Sequence, residues 1–137
     1  MSFNCRKIRK YGYQLTNDYE YTLPKRMEWP DATTPFIIIK NGVITVKKGY
    51  MWDGASGPTI DTKNNMRASL IHDCLYQFFR LSLLPREVYK PLADLVLYNV
   101  CREDGMSKIR AGYFYIAVKL FGYSSTLPLK NEDIVNY

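Results

Sequence analysis

The sequence predicts an α+β domain: N-terminal antiparallel β-sheet and hairpins packed on a C-terminal three-helix unit that contains an antiparallel helical hairpin. Three observations predict it. The first 50 residues hold short alternating or β-branched runs broken by turn residues. From about Asn65 onward, apolar residues recur at helical spacing. The strands precede the helices without alternating with them, which disfavours a parallel βαβ sheet. At 137 residues the chain is expected to form one domain, with a core that needs neither metal nor disulfide. Its parts are a β-rich half (about 1–50), a glycine-rich loop (49–65), a helical half (about 65–122) and a tail (123–137).

In chain order, "YGYQL" and "YEYTL" alternate aromatic and polar residues around Thr16-Asn17-Asp18 and read as a hairpin. "WPDATTP" (Trp29–Pro35) reads as a loop held by proline near both ends. "PFIIIKNGVITVKKG" joins two β-branched runs through Asn41-Gly42, the strongest short-range signal for a type I′ turn. Gly49–Asn65 holds three glycines and a proline without periodicity, so it reads as a long connector of the kind that carries function. A first helix is expected from about Asn65 to Leu81. A second runs from about Pro85 to Glu103, with Pro85 in its first turn and a bend at Pro91. Gly105 stops it, and Ser107 caps a third that ends near Gly122. The short "SLLP" connection forces the first two helices antiparallel.

Composition narrows the class. The chain is 47% hydrophobic and 15% aromatic, which fits a globular protein. Its start is polar and basic, and no apolar run has the length of a signal peptide or a transmembrane segment. The expected location is therefore a reducing cytoplasm, reached without secretion. Cys5, Cys74 and Cys101 are odd in number and widely spaced, which argues against a disulfide framework. Of the net charge of +6, residues 1–50 supply nine Lys/Arg against four Asp/Glu. That basic half is a candidate surface for nucleic acid or an anionic membrane, although an ordinary solvated surface explains it as well.

The chemistry centres on "RASLIHDCLYQFFR" (Arg67–Arg80), which contains the chain's single histidine. Helical spacing puts Ser69, His72 and Tyr76 on one face, while Asp73, Gln77 and Arg80 form the neighbouring stripe. Asp94 is the lone carboxylate of the apolar "PLADLVLYNV" in the next helix. An ionised carboxylate there is costly unless partnered. The antiparallel helix offers His72, Tyr76 and Arg80, and the expected partner is His72, whose tautomer Asp94 would fix. Such a pair can serve as a general base, worth roughly 10²–10⁴-fold in rate. It can equally be a buried network that only locks two helices together.

His-Asp-Cys-Leu-Tyr in a helix, with an Asp in the next antiparallel helix and a Gly-rich loop upstream, resembles the core of the phospholipase A2 superfamily, particularly its smaller bacterial and fungal members. The resemblance implies that His72 activates water, Asp94 orients it and Tyr76 hydrogen-bonds Asp94. It also implies that Asp73 binds calcium with carbonyls of "WDGASGP" (Trp52–Pro58). With one certain carboxylate, such a site would bind calcium only at about 10⁻⁴–10⁻³ M. Over about residues 35–122, the runs "WDGASGPTIDTKNNMRASLIHDCLY", "AD" and "DGMSKIRAGYFYIAVKLFG" resemble phage and prophage proteins of the domain of unknown function 1353 family. That likeness implies a phage-encoded accessory or virion-associated protein in the host cytoplasm or virion, partnered by an unidentified phage or host protein, with no settled reaction.

One histidine excludes multi-His metal centres. "GASGP" departs from the G-x-S-x-G elbow at Pro58, so a Ser56–His72–Asp94 triad is a minor alternative. Trp52 reads either as a ligand platform beside Asp53 and Ser56 or as an aromatic plug on the core. Arg67, Arg80 and Arg110 read either as an anion pocket or as solvated helix faces.

Overall fold

The structure, a computed structural model, describes residues 2–9, 12–53 and 63–128. Two antiparallel sheets precede three helices. In the first sheet, β2 (Gly12–Leu15) lies between β1 (Cys5–Arg9) and β7 (Met51–Trp52). The second has the order β3 (Tyr19–Thr22), β6 (Val43–Val46), β5 (Ile37–Lys40), β4 (Ala32–Thr33). The helices are α1 (Lys63–Arg80), α2 (Arg86–Glu103) and α3 (Lys108–Phe121), and a single 3₁₀ turn, Tyr123–Thr126, follows α3. The α+β expectation holds.

The β5–β6 hairpin forms where Asn41-Gly42 predicts it. Both residues have positive φ, 51° and 76°, as a type I′ turn requires. Ile37, Ile39, Ile44 and Val46 turn inward from its two strands and are buried. The expected hairpin around Thr16–Asp18 does not form. β2 pairs with β1 and β7, whereas β3 pairs with β6 in the other sheet. Thr16–Asp18 is instead the corner where the chain passes between sheets, and its polar groups are taken by distant segments. Thr16 N–H donates to Asn4 O at 3.0 Å, and Asp18 Oδ1 accepts Lys48 N–H at 2.8 Å. "WPDATTP" likewise contains the two-residue β4.

Helix boundaries follow local chemistry. Pro85 is the N-cap of α2, and the helix continues through Pro91. Ser107 Oγ caps α3 by accepting Arg110 N–H at 3.2 Å. Gly105, at φ 93°, makes the reversal before it. The core joins the hairpin isoleucines to the inner face of α1 (Leu70, Ile71, Leu75, Phe78, Phe79) and to Val96 and Val100 of α2. Cys74 and Cys101 are buried free thiols within it, and burial pushes both thiols up, Cys101 to about 11. α3 is more lightly covered: Ala111 and Phe114 are buried, while Ile109, Tyr113, Ile116 and Leu120 face outward. Among the described residues no helix is long and apolar enough to cross a membrane.

Candidate functional site

α1 and α2 pack antiparallel through the short Leu81–Pro85 link, which brings His72 and Tyr76 against Asp94. His72 Nε2 lies 2.8 Å from Asp94 Oδ1, and Tyr76 Oη donates to the same oxygen at 2.6 Å. The two rings lie against each other, tilted by 44°, with 4.0 Å between centroids. Asp94 is 1% exposed and His72 5%. Facing an ionised carboxylate, Nε2 must carry the imidazole proton, which leaves Nδ1 as the acceptor. Nδ1 has no hydrogen-bond partner among the described residues.

A fourth member was missed from the sequence. Lys90, one helical turn before Asp94, donates to Asp94 Oδ2 at 2.8 Å and to Val118 O of α3 at 3.2 Å. Both carboxylate oxygens are therefore taken, and one buried group ties three helices together. Burial pushes the Asp94 carboxyl up, but the His72, Lys90 and Tyr76 hydrogen bonds more than offset it and hold it below the usual carboxylate range. Arg80, the third candidate partner for Asp94, points elsewhere and donates to Ser125 O at 3.1 Å.

The neighbouring stripe of α1 faces a different space. Asp73, Gln77 and Arg80 line a cavity of about 450 Å³ whose other walls include Phe36, Tyr50, Trp52 and Asp53. His72 is not on that wall. Burial, opposed by Arg80 and reinforced by Asp53, pushes the Asp73 carboxyl up to about 7. Tyr50 Oη donates to Gln77 Oε1 at 3.0 Å. Trp52 is an aromatic plug, 4% exposed, with its indole N–H donated to Ser69 Oγ at 3.0 Å. Ser69 Oγ in turn donates to Met66 O at 2.8 Å.

Among the described residues the three arginines have separate partners, and the loop expected to complete an anion pocket with them lies largely outside the described residues. Arg67 is held by Asp104 at 2.8 Å, Glu103 at 3.0 Å and the Tyr19 hydroxyl at 2.9 Å. Arg110 reaches Asn64 at 3.2 Å. Ser56 and most of the Trp52–Pro58 loop, residues 54–58, lie outside the described residues, as do residues 129–137 of the tail. Among the described residues no group of three or more His, Cys, Asp or Glu side chains could hold a metal ion. The calcium set implied by the phospholipase likeness is thus reduced, on the described side, to Asp73 with Asp53 beside it.

The family model described as "Protein of unknown function (DUF1353)" matches residues 31–118. The chain belongs to this family. The matched span runs from just before β4 into α3, so the family region contains the whole Asp94 network and the cavity wall from Phe36 to Leu81. No curated protein and no solved structure matches the chain.

Proposed function

We propose that this chain is mainly a binding or structural module, a phage-encoded accessory or virion-associated protein whose His72–Asp94 centre holds its helices together. The observation that carries this reading is Lys90 on Asp94. An aspartate that supports a catalytic histidine stabilises the imidazolium as it forms. Here an ammonium already neutralises that charge at 2.8 Å. His72 is also buried and off the cavity wall. The phage assignment rests on the family resemblance, and the host cytoplasm or virion follows from it. The basic N-terminal half supplies a surface for an anionic membrane, nucleic acid or a protein partner.

A second reading is a small phospholipase A2-like hydrolase that uses His72 to activate water against an ester or phosphoester. Its support is the His72–Asp94–Tyr76 geometry itself, with Nδ1 left over as an acceptor. Turnover of an activated ester, a phospholipid and a phosphodiester separates the two. The expected result is no rate above buffer for any substrate, with His72→Gln and Asp94→Asn each lowering the melting temperature. A clear wild-type rate that falls roughly 10²-fold or more in a stably folded His72→Gln would overturn the structural reading.

A further inference from the structure

α3 is apolar on two faces, and the fold of one chain buries only one of them. Ala111, Phe114 and the partly buried Val118 face the core. On the other side Ile109, Tyr113, Ile116 and Leu120 follow in steps of four, three and four residues and stay between 51% and 89% exposed. That spacing draws a narrow seam of the kind along which two helices pair. A helix that lies on a lipid surface presents a broader apolar face.

Small residues border the seam. Gly112 lies between Ile109 and Ile116, at i+3 and i−4, and Ala117 lies between Tyr113 and Leu120, at i+4 and i−3. A glycine inside a helix is destabilising relative to alanine. One chain gives no packing reason for it: among the described residues, a Cβ at Gly112 would meet no atom within 4 Å. Close approach of a second helix to that face supplies the reason. The pattern also reads the same in both directions. The steps of four, three and four, and the Gly112/Ala117 pair, are symmetric about the midpoint between Phe114 and Tyr115. An isologous two-fold contact needs such self-complementarity.

We propose that α3 is a self-association surface, pairing antiparallel with α3 of a second copy of this chain. Ile109 of each copy then meets Leu120 of the other, and Tyr113 meets Ile116. At about 200 Å² for a fully exposed large side chain, the four exposed fractions offer roughly 500 Å² per copy. Two copies bury about 1,000 Å², the lower limit for a specific interface, so the expected dimer is weak, with a Kd of about 1–100 µM. α3 carries Lys108, Arg110 and Lys119 and no carboxylate, so pairing brings like charges to the rim. Salt is therefore expected to tighten the dimer. The inference is independent of the role of His72.

Sedimentation equilibrium of the full chain from about 5 to 500 µM, at low and high salt, tests this. The expected result is a reversible monomer–dimer equilibrium that salt strengthens. Gly112→Leu is expected to weaken it about tenfold or more without lowering the melting temperature of dilute protein. Val88→Lys, at an exposed apolar site on α2, is expected to leave it unchanged. Ile109→Lys and Leu120→Glu are each expected to weaken self-pairing about tenfold or more, and mixing the two variants to restore it. The antiparallel mixed pair sets the new charges against each other and keeps one Ile109–Leu120 contact intact. A monomer at every concentration, association that salt weakens, a dimer indifferent to Gly112→Leu, or a mixture no tighter than its components overturns the proposal. Monomeric protein that binds phosphatidylserine vesicles, with binding lost in Leu120→Glu, gives the seam to a lipid surface and overturns it as well.

Discussion

Asp94 is fully buried and Asp73 partly so, and the two carboxylates respond to pH in opposite directions. Asp94 accepts hydrogen bonds from His72, Tyr76 and Lys90, so its carboxyl titrates below the usual range. Its stabilisation is present above the unfolded value, about 3.9, and is lost as pH falls through the folded one. Asp94→Ala leaves Lys90 and His72 without their buried partner and is expected to cost roughly 3–5 kcal/mol in a denaturant titration. An unchanged midpoint would show that the network contributes nothing. Asp73 titrates at about 7, above its unfolded value, so the folded state holds its proton more tightly. Stability from that proton is complete below about pH 4 and is lost as pH rises through about 7. Asp73→Asn is therefore expected to stabilise the protein at pH 8, on the order of 2–4 kcal/mol, and to have little effect at pH 4. Equal melting shifts at both pH values would mean that Asp73 is not desolvated. The His72–Asp94 pair was legible from sequence because a lone carboxylate in an apolar stretch needs a partner. Lys90 was not, because a lysine one turn away reads by default as a solvated surface group, although its i, i+4 spacing to Asp94 was there to be used.

At the level of elements, legibility follows sequence separation. The β5–β6 turn is specified by two adjacent residues with positive φ, and the α3 cap by one serine, so both can be read locally. The partner of β2 cannot. The tyrosine alternation marks a strand, but its pairing with Cys5–Arg9 and Met51–Trp52 depends on segments far from the Thr16–Asp18 corner. The junction after α3 shows how one small residue couples an element to the polar centre. Gly122 has an ordinary φ of −83°, so backbone freedom does not require glycine there. Space does: a Cβ at this position would lie 2.6 Å from Tyr76 Oη and 2.5 Å from Val118 O. Gly122→Ala is expected to destabilise by roughly 1–3 kcal/mol, since it must displace the phenol that holds Asp94 or shift the end of α3. Urea denaturation in wild-type and Tyr76→Phe backgrounds measures it. The cost should be smaller where the hydroxyl is already gone, and an equal cost in both would assign the clash to the backbone alone.

Across the whole molecule, α1 serves two compartments from adjacent positions in the chain. A residue step of 100° turns His72 toward α2 and Asp73 toward the β7 side, so structural network and cavity are neighbours with separate walls. That division was only half visible in the sequence. The two stripes on α1 could be read from helical spacing, but the cavity is completed by Phe36, Tyr50 and Trp52, whose approach depends on how both sheets fold over the helix. It also decides what the molecule can do with calcium. The phospholipase likeness places a cation at Asp73, where the described residues offer two carboxylates and a nearby guanidinium that opposes a second positive charge. Calcium takes six to eight oxygen ligands, and affinity falls as charged ligands are lost. Binding is therefore expected no tighter than about 10⁻⁴–10⁻³ M. By mass action, about 1 mM calcium can then add at most about 1.4 kcal/mol, a melting shift of a few degrees. Melting curves with calcium, with magnesium and with chelator, repeated on Asp73→Asn, measure it. A small calcium shift that disappears in the variant fits a weak site at Asp73. Submicromolar affinity, or a shift indifferent to Asp73, would mean that calcium finds its ligands elsewhere in the chain.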